Sequence, residues 1–204
     1  MNKMDEQILV ASRNEVFNNE QLVFQGVEMN QEKVNKIMHS ISTSYKTMRR
    51  GDAENNPDYK QPIPYCVIRK GNSLYVYERL KGGGECRLHN KLSLGVGGHM
   101  NETAHPTFEQ TLQDNLLREL EEELDIQAED QEFSTIGLIN DDENDVGKVH
   151  IGLLVVLDVD DEATVEVRET EQLKGNWKSL NELMQPDTYE RLEPWSKFVV
   201  DTLK

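Results

Sequence analysis

The chain has 204 residues, enough for one sizeable domain with its own core, and 38 acidic against 22 basic residues give it a formal net charge of -16. This charge argues against a broad nucleic-acid surface and against an anionic-membrane surface, because both polyanions would be repelled. Cys66 and Cys86 form no Cys-x-x-Cys pair, so neither a disulfide scaffold nor a zinc site is expected. No apolar run approaches the roughly 20 residues of a membrane span and the first residues lack a signal-peptide core, so we expect a cytoplasmic protein.

The first 60 residues carry no motif that indicates a chemistry. A strand is predicted over Gln7–Ala11, and apolar residues at helical spacing predict a helix from Asn30 to about Ser42, capped by Asn30 or Gln31. The polar stretch Arg49–Pro62 is the expected boundary between an N-terminal extension, residues 1–60, packed on the core, and a domain of residues 61–204. The extension is expected to shape a substrate pocket, to pair two subunits as a homodimer or to complete the core.

Apolar runs beyond this boundary predict strands. Pro64–Ile68 and Leu74–Tyr77 flank a Gly71-Asn72 pair, which is typical of a hairpin. Gly82–Gly84 predicts a loop, flanked by Arg79 and Arg87.

Further strands and a final helix are predicted in the second half of the chain. Strands are predicted over Phe133–Ile139 and Val149–Leu157, and the second is nearly all apolar, as a central strand would be. An acidic loop, Asn140–Asp145, lies between them. The pattern from Tyr189 to Leu203 predicts a closing amphipathic helix.

The most informative segment is a helical pattern that runs from about Phe108 to Leu124. At about 100° per residue, five leucines fall within one arc of the helix roughly 140° wide, which predicts that this arc is the buried face. The arc contains Leu112, Leu116, Leu117, Leu120 and Leu124. Thr107 precedes the pattern with Gln110 three residues later, which predicts a capping box.

Carboxylates gather at the border of this stripe. Glu123 falls inside the arc and Glu119 falls roughly 20° outside it, with Glu122 some 60° further on. Glu121 points away on the other side. Burying unpaired carboxylates is costly, so a cation should compensate them, and a hard divalent metal with oxygen ligands is the natural candidate. Glu-rich helices are more often plain solvated faces, but no run of basic residues follows at i+4 to support that interpretation.

The approach to the helix adds a second feature. Residues 91–99 read as a short strand that ends in the pair Gly97-Gly98, followed by His99. Glycines at such a place permit close backbone approach or an unusual turn. The order is therefore strand, glycine turn, loop, capped helix and carboxylate cluster.

This order resembles the Nudix hydrolase family, whose signature is a glycine, five residues, Glu, seven residues, and then Arg-Glu-aliphatic-any-Glu-Glu-any-Gly-aliphatic. The second half of the signature is matched by Arg118, Glu119, Leu120, Glu122, Glu123 and Ile126. In the first half, Gln110 stands in place of Glu, with Glu109 one position early, and Gly98 lies twelve residues before Gln110 instead of six. Asp125 replaces the closing glycine. The metal-ligand positions are kept, and the six extra residues predict an enlarged loop at the substrate entrance.

The resemblance implies an α/β fold, a Nudix-like α/β/α sandwich with a mixed sheet. It implies a hydrolase that cleaves a phosphoanhydride in a nucleoside diphosphate linked to another moiety, or in a related small metabolite. Glu119, Glu122 and Glu123 are carried over as catalytic residues and as ligands of Mg²⁺ or Mn²⁺. Arg118 is counted with the catalytic set and is expected to orient a carboxylate. Two alternatives stay open: a non-catalytic ligand-binding or regulatory module on the same fold, and an isomerase of a diphosphate ester.

Substrate-binding candidates come from the glycine turns and their neighbours. Gly97 and Gly98 are expected to shape a loop, and His99 to contact a phosphate or to pack the turn. Arg79 and Arg87 are candidates for gripping phosphates. A further acid in this family often comes from a later loop, for which the candidates are Asp142, Glu143 and Asp145.

Overall fold

The structure is a computed structural model that describes residues 2–80, 90–168, 170–171 and 173–204. Arg87, Cys86 and the Gly82–Gly84 loop lie outside the described residues. The fold is α/β, a mixed sheet with flanking helices, which confirms the predicted fold class.

The chain contains strands and helices in mixed order. The strands are β1 Gln7–Ser12, β2 Gly26–Glu28, β3 Lys46–Arg49, β4 Tyr59–Lys70, β5 Ser73–Arg79, β6 Leu92–Ser93, β7 Gly95–Val96, β8 Leu124–Gln127, β9 Gln131–Asn140, β10 His150–Val159, β11 Thr164–Val167 and β12 Leu173–Ser179. The helices are α1 Arg13–Val16, α2 Gln31–Ser44, α3 Arg50–Ala53, α4 Phe108–Glu123, α5 Asp145–Val149, α6 Leu180–Leu183, α7 Pro186–Tyr189 and α8 Pro194–Leu203. No helix in the described part of the chain is long and apolar enough to cross a membrane.

The chain divides into two compact units, and α4, β4, β9 and β10 each contribute residues to both. Unit 1 comprises Met1–Tyr65, Gly97–Leu117 and Ile136–Leu154. Unit 2 comprises Cys66–Val96, Arg118–Thr135 and Val155–Lys204. The predicted division into an extension of residues 1–60 and a domain of residues 61–204 stays a prediction.

Unit 1 is built around the N-terminal strand. β1 pairs antiparallel with β3, Gln7 opposite Arg49, and its last two residues pair with the start of β4. β2 pairs antiparallel with the end of β9, Gly26 opposite Asn140. The predicted helix is present as α2, and the Asn30 side chain caps it by accepting a hydrogen bond from the Lys33 amide.

The core of unit 1 collects the apolar faces of these elements. The cluster contains Leu9, Ala11, Val16, Phe17, Val34, Ile37, Ile41, Met100, Phe108, Leu112, Leu138, Ile151 and Leu153. The helical spacing of Val34, Ile37 and Ile41 places one face of α2 in this core, as predicted from the sequence.

Unit 2 holds the predicted hairpin. β4 and β5 pair antiparallel, Lys70 opposite Ser73, around the Gly71-Asn72 turn, where Gly71 adopts a φ of 54°. β12 covers the other edge of β5 along its whole length, while β6 and β7 pair with β5 and β4. β8 and β11 form a separate two-stranded sheet.

Two details of the sequence-based predictions were wrong. Leu117 does not belong to the buried stripe of α4, since it is 37% exposed, while Thr111 and Asn115 are buried instead. The strand predicted from Val149 begins at His150. Val149 is instead the last residue of the short helix α5, which the Asn144 side chain caps at its start.

Candidate functional site

The acidic helix α4 begins with the predicted cap. The hydroxyl of Thr107 accepts a hydrogen bond from the Gln110 amide at 3.3 Å and donates to the Gln110 side-chain oxygen at 3.1 Å. The side-chain contact occupies the Gln110 oxygen that would reach the cap amide in a full capping box. Gln110 therefore supports the start of the helix although it stands where the family signature has Glu.

Glu119 and Glu123 lie one turn apart on α4, and both are partly buried. The Glu119 side chain is 12% exposed, whereas that of Glu122 is 60% exposed. This agrees with the sequence-based wheel for Glu119, which it places just outside the buried arc, and for Glu122, which it places further out. Glu123, which the wheel places inside the arc, is only partly buried. Arg118 Nη1 lies 2.7 Å from Glu119 Oε1 and 3.5 Å from Glu122 Oε1, the contacts expected of a residue that orients carboxylates.

Three carboxylates offer oxygen ligands only, and this donor set suits a hard divalent cation such as Mg²⁺ or Mn²⁺. The oxygens of Glu119, Glu122 and Glu123 do not form a group lying within 4.8 Å of one another in the described structure. Arg118 is bound to two of the carboxylates. The donor chemistry therefore fits the metal that the family implies, and the ion would have to compete with the Arg118 guanidinium.

Asp125 follows the acidic run and replaces the closing glycine of the signature. It lies in β8 opposite Glu166, and it is not among the described residues with a left-handed backbone. Glycine is required only where the backbone enters that region or approaches another chain segment closely. The path of the chain after α4 therefore accommodates a side chain at this position.

Tyr77 and Arg79 of β5 lie close enough to Glu123 to interact with its charge. Burial raises the pKa of Tyr77 well above its usual value, and the negative charge of Glu123 raises it further. Arg79 donates from Nε to Glu193 Oε1 at 2.8 Å. Although burial lowers the pKa of Arg79, its interactions with Tyr77, Glu193 and Glu123 raise it above its usual value. Arg79, predicted to bind phosphate, thus lies in the field of Glu123 and already has an acidic partner.

Gly97 is required by packing. A Cβ atom added there would lie 2.0 Å from the carbonyl oxygen of Pro64 in β4. The close backbone approach predicted for the glycine pair therefore occurs between Gly97 and β4 of the same chain.

His99 lies in a cluster of polar side chains in unit 1. Its Nε2 lies 2.7 Å from Gln61 Oε1, 3.2 Å from His150 Nε2 and 3.4 Å from Glu54 Oε1. Ligand atoms of Glu54, His99 and His150 all lie within 4.8 Å of one another. Sequence reasoning named His99 alone, since the other three residues belong to no motif.

The loop before His150 is held by a buried lysine. Lys60 of β4 is fully buried, and its Nζ donates to Asp142 Oδ1 and to the Gly147 carbonyl, both at 2.9 Å, and to the His150 carbonyl at 3.3 Å. Burial of Asp142 would raise its pKa, but hydrogen bonds from Arg13 and Lys60 bring it well below its usual range. Asp142, a candidate base, therefore stabilises the loop.

The other two candidate bases face solvent. Glu143 is exposed, and the fully exposed side chain of Asp145 lies 3.2 Å from Lys148. Neither side chain is enclosed by other residues as the acid or base of a buried active site would be.

Comparison with known proteins places the chain in a family. No family model matches it. Protein YmaB of Bacillus subtilis (strain 168) is 57% identical over 206 residues, covering 100% of both chains. The solved structure of Tm1382, a protein assigned to the Nudix hydrolases, matches with a TM-score of 0.76 and 28% identity, covering 97% of this chain and 98% of that one. DR0079 from Deinococcus radiodurans, with a TM-score of 0.52 and 13% identity over 78% of this chain and 90% of that one, shares the fold alone.

The fold, the capped acidic helix and the match to Tm1382 over nearly the whole length of both chains agree with the sequence signature. The chain belongs to the family of Protein YmaB, and it shares its fold with the solved Nudix hydrolase structures.

Proposed function

We propose that the protein is a metal-dependent hydrolase that cleaves a phosphoanhydride bond in a small diphosphate metabolite, such as a nucleoside diphosphate linked to another moiety. The observation that carries this proposal is the arrangement at the end of α4, where Glu119 and Glu123 lie partly buried one turn apart and Arg118 contacts Glu119 and Glu122. A purely structural helix end does not need three acidic side chains there, whereas phosphoryl chemistry with a divalent cation does.

Glu119, Glu122 and Glu123 would hold Mg²⁺ or Mn²⁺. When bound, such an ion neutralises charge on phosphoryl oxygens and lowers the pKa of the attacking water. Arg118 orients Glu119 and Glu122 until the ion binds. A carboxylate that is not bound to the ion would accept the proton of the water.

The remaining candidates would bind and shape the substrate. Arg79, which lies in the field of Glu123, is the candidate for a phosphate contact on β5, and Arg87 is a second candidate. Gly97 and Gly98 set the course of the segment that precedes α4, and His99 follows them. The net charge of -16 favours a small, ion-paired diphosphate over a nucleic-acid polymer. We place the protein in the cytoplasm, and pairing of two copies through residues 1–60 stays a prediction.

A substrate screen tests the proposal. Nucleoside diphosphate sugars, dinucleotides and nucleoside triphosphates are incubated with the full chain and Mg²⁺ or Mn²⁺, and phosphate release is followed after phosphatase treatment. Glu122→Gln and Glu123→Gln should each lower the rate by ~10²-fold or more, the scale of losing a positioned acid–base or metal-ligand group. Glu121→Gln is the matched control, because Glu121 is exposed on the same helix and is expected to leave the rate unchanged.

Two outcomes would contradict the proposal. The first is that no compound of the screen turns over while one of them binds tightly, which would indicate a regulatory module. The second is that Glu121→Gln lowers the rate as much as Glu123→Gln, which would show that the acidic run acts through its overall charge.

A further inference from the structure

We infer that Glu54, His99 and His150 form a second metal site, separate in its residues from the glutamates of α4, which binds a first-row transition cation of the Zn²⁺ class. The three residues come from distant parts of the chain: Glu54 follows α3, His99 follows β7 and His150 opens β10. All three belong to unit 1. The inference does not depend on the proposed hydrolase activity.

The spacing of the donor atoms is that of a coordination sphere. In a tetrahedral site with metal–ligand bonds of about 2.0–2.1 Å, neighbouring ligand atoms lie about 3.3–3.4 Å apart. His99 Nε2 lies 3.2 Å from His150 Nε2 and 3.4 Å from Glu54 Oε1. The two imidazole rings meet at 65° with their centroids 5.2 Å apart, so their Nε2 edges converge while the rings do not stack.

The hydrogen bond at the far side of His150 fixes its tautomer. His150 Nδ1 lies 2.6 Å from the carbonyl oxygen of Val146, which can only accept, so Nδ1 carries the proton. Nε2 of the neutral ring is then an unprotonated lone pair directed at His99. His150 is buried, which favours the uncharged ring. A backbone carbonyl that holds the second nitrogen of a metal-bound histidine is the usual supporting arrangement.

Lone pairs outnumber protons at the centre of the cluster. If His99 Nε2 carries a proton, that single N–H faces three acceptors, namely Gln61 Oε1, His150 Nε2 and Glu54 Oε1. Glu54 Oε1 also accepts a hydrogen bond from Arg50 Nε at 3.3 Å. One proton at His99 Nε2 therefore leaves a lone pair of Gln61 Oε1 or of His150 Nε2 directed into the cluster without a donor. A metal cation bound between these nitrogen and oxygen atoms would interact with all of their lone pairs at once.

Gln61 strengthens this reasoning because it is fully buried. In the described structure its Oε1 faces His99, and its Nε2 has no hydrogen-bond partner. Turning the amide would let Nε2 donate to His99 Nε2, but only if that nitrogen is also an unprotonated lone pair. In either orientation an excess of lone pairs converges on one point.

The types of ligand atom indicate which class of metal ion the site would bind, and the exposure of the ligands shows how the ion could reach it. Two imidazole nitrogens and one carboxylate oxygen suit Zn²⁺ and related first-row cations, whereas Mg²⁺ prefers oxygen ligands. The carboxylate of Glu54, which also accepts a hydrogen bond from Arg50, supplies one negative charge. Glu54 and His99 are only partly buried, so an ion has a route from solvent. The sequence-based expectation against zinc rested on cysteine spacing and did not consider these residues.

The test is metal binding to the full chain after removal of metals with a chelator. Titration calorimetry with Zn²⁺ should show one saturable site per chain that Mg²⁺ does not fill. Glu54→Gln, His99→Gln and His150→Gln should each weaken this site by at least about tenfold. His39→Gln, at an exposed histidine of α2, is the matched control and should bind as the wild type does. Glu123→Gln should also retain the site, which separates this result from the fate of the proposed hydrolase.

Co²⁺ gives a readout that does not depend on the folding of a variant. Bound to the wild-type chain in place of Zn²⁺, it should produce visible absorption bands and shift the ring proton resonances of two of the five histidines. The inference is overturned if the wild type shows no saturable Zn²⁺ site, if Co²⁺ shifts no pair of histidine rings, or if His150→Gln binds Zn²⁺ as tightly as His39→Gln does.

Discussion

Arg13 and Asp142 form a two-point ion pair across 129 positions of the chain, with Nη1 donating to Oδ1 at 2.9 Å and Nη2 to Oδ2 at 2.8 Å. The same carboxylate receives the buried Nζ of Lys60. Lys60 in turn holds the carbonyls of Gly147 and His150. A single carboxylate of the acidic loop therefore connects α1 and β4 to the residue that opens β10.

We expect Asp142→Asn to lower the free energy of unfolding by about 3 kcal/mol, because it leaves the fully buried Lys60 without an anionic partner. The measurement is urea denaturation at neutral pH. Asp145→Asn is the control, since the side chain of Asp145 is fully exposed, and it should change the free energy by no more than about 0.5 kcal/mol. Equal effects of the two substitutions would refute the structural role of Asp142.

Lys60 should give the stability a defined dependence on alkaline pH. Burial lowers the pKa of Lys60 to about 8, whereas the unfolded chain keeps a value of about 10.4. Between these two values the unfolded chain binds more protons, so the contribution of Lys60 to stability rises with pH and becomes constant above the window. The difference in unfolding free energy between the wild type and Lys60→Met, measured from pH 7 to pH 10, should therefore shift in favour of the wild type. A difference that stays flat or falls would contradict the lowered pKa.

The acidic helix could be predicted from the sequence because its signals are local. Thr107 is placed at the cap by its spacing to Gln110, and the recurrence of leucines fixes the extent of α4 to within one residue. The orientation of the helix was less accurate, because periodicity shows which residues share a face but does not show the centre of the buried arc. Asn115 is buried because it binds both backbone groups of Asn101, a contact that no local pattern indicates.

The histidine cluster could not be predicted as a set. Glu54, His99 and His150 are distant in the sequence, and only the folded chain brings them together. Local signals existed for two of them: His99 follows a glycine pair, and His150 begins a long apolar strand, where a polar residue needs a partner. Glu54 carries no such signal, because an acidic residue in a polar turn is ordinarily solvated.

Gly97→Ala should destabilise the protein by about 2 kcal/mol or more, because the added methyl group would meet the Pro64 carbonyl at 2.0 Å and the backbone would have to move. Gly51→Ala is the matched control. Its methyl group would meet the end of the flexible Arg49 side chain at 2.7 Å, which can move aside, and the Met4 carbonyl oxygen at 3.2 Å, which requires only a small shift. It should change the stability by less than about 1 kcal/mol. Thermal and urea denaturation of both variants checks this, and a tolerated Gly97→Ala would contradict the close approach.

The last prediction concerns two adjacent leucines of α4 that the sequence alone assigned to one buried stripe. Leu116 is 4% exposed, whereas Leu117 is 37% exposed. Truncation of a buried leucine removes its burial and leaves a cavity, so Leu116→Ala should cost about 2–4 kcal/mol of unfolding free energy. Leu117→Ala should cost less than about 1 kcal/mol, because little of its burial is lost and alanine favours the helix. Both substitutions remove the same atoms and change the intrinsic helix propensity by the same amount. A difference between their unfolding free energies in urea therefore measures the effect of burial. Equal losses of stability would support the buried stripe predicted from the sequence, and they would contradict the exposed position of Leu117 in the structure.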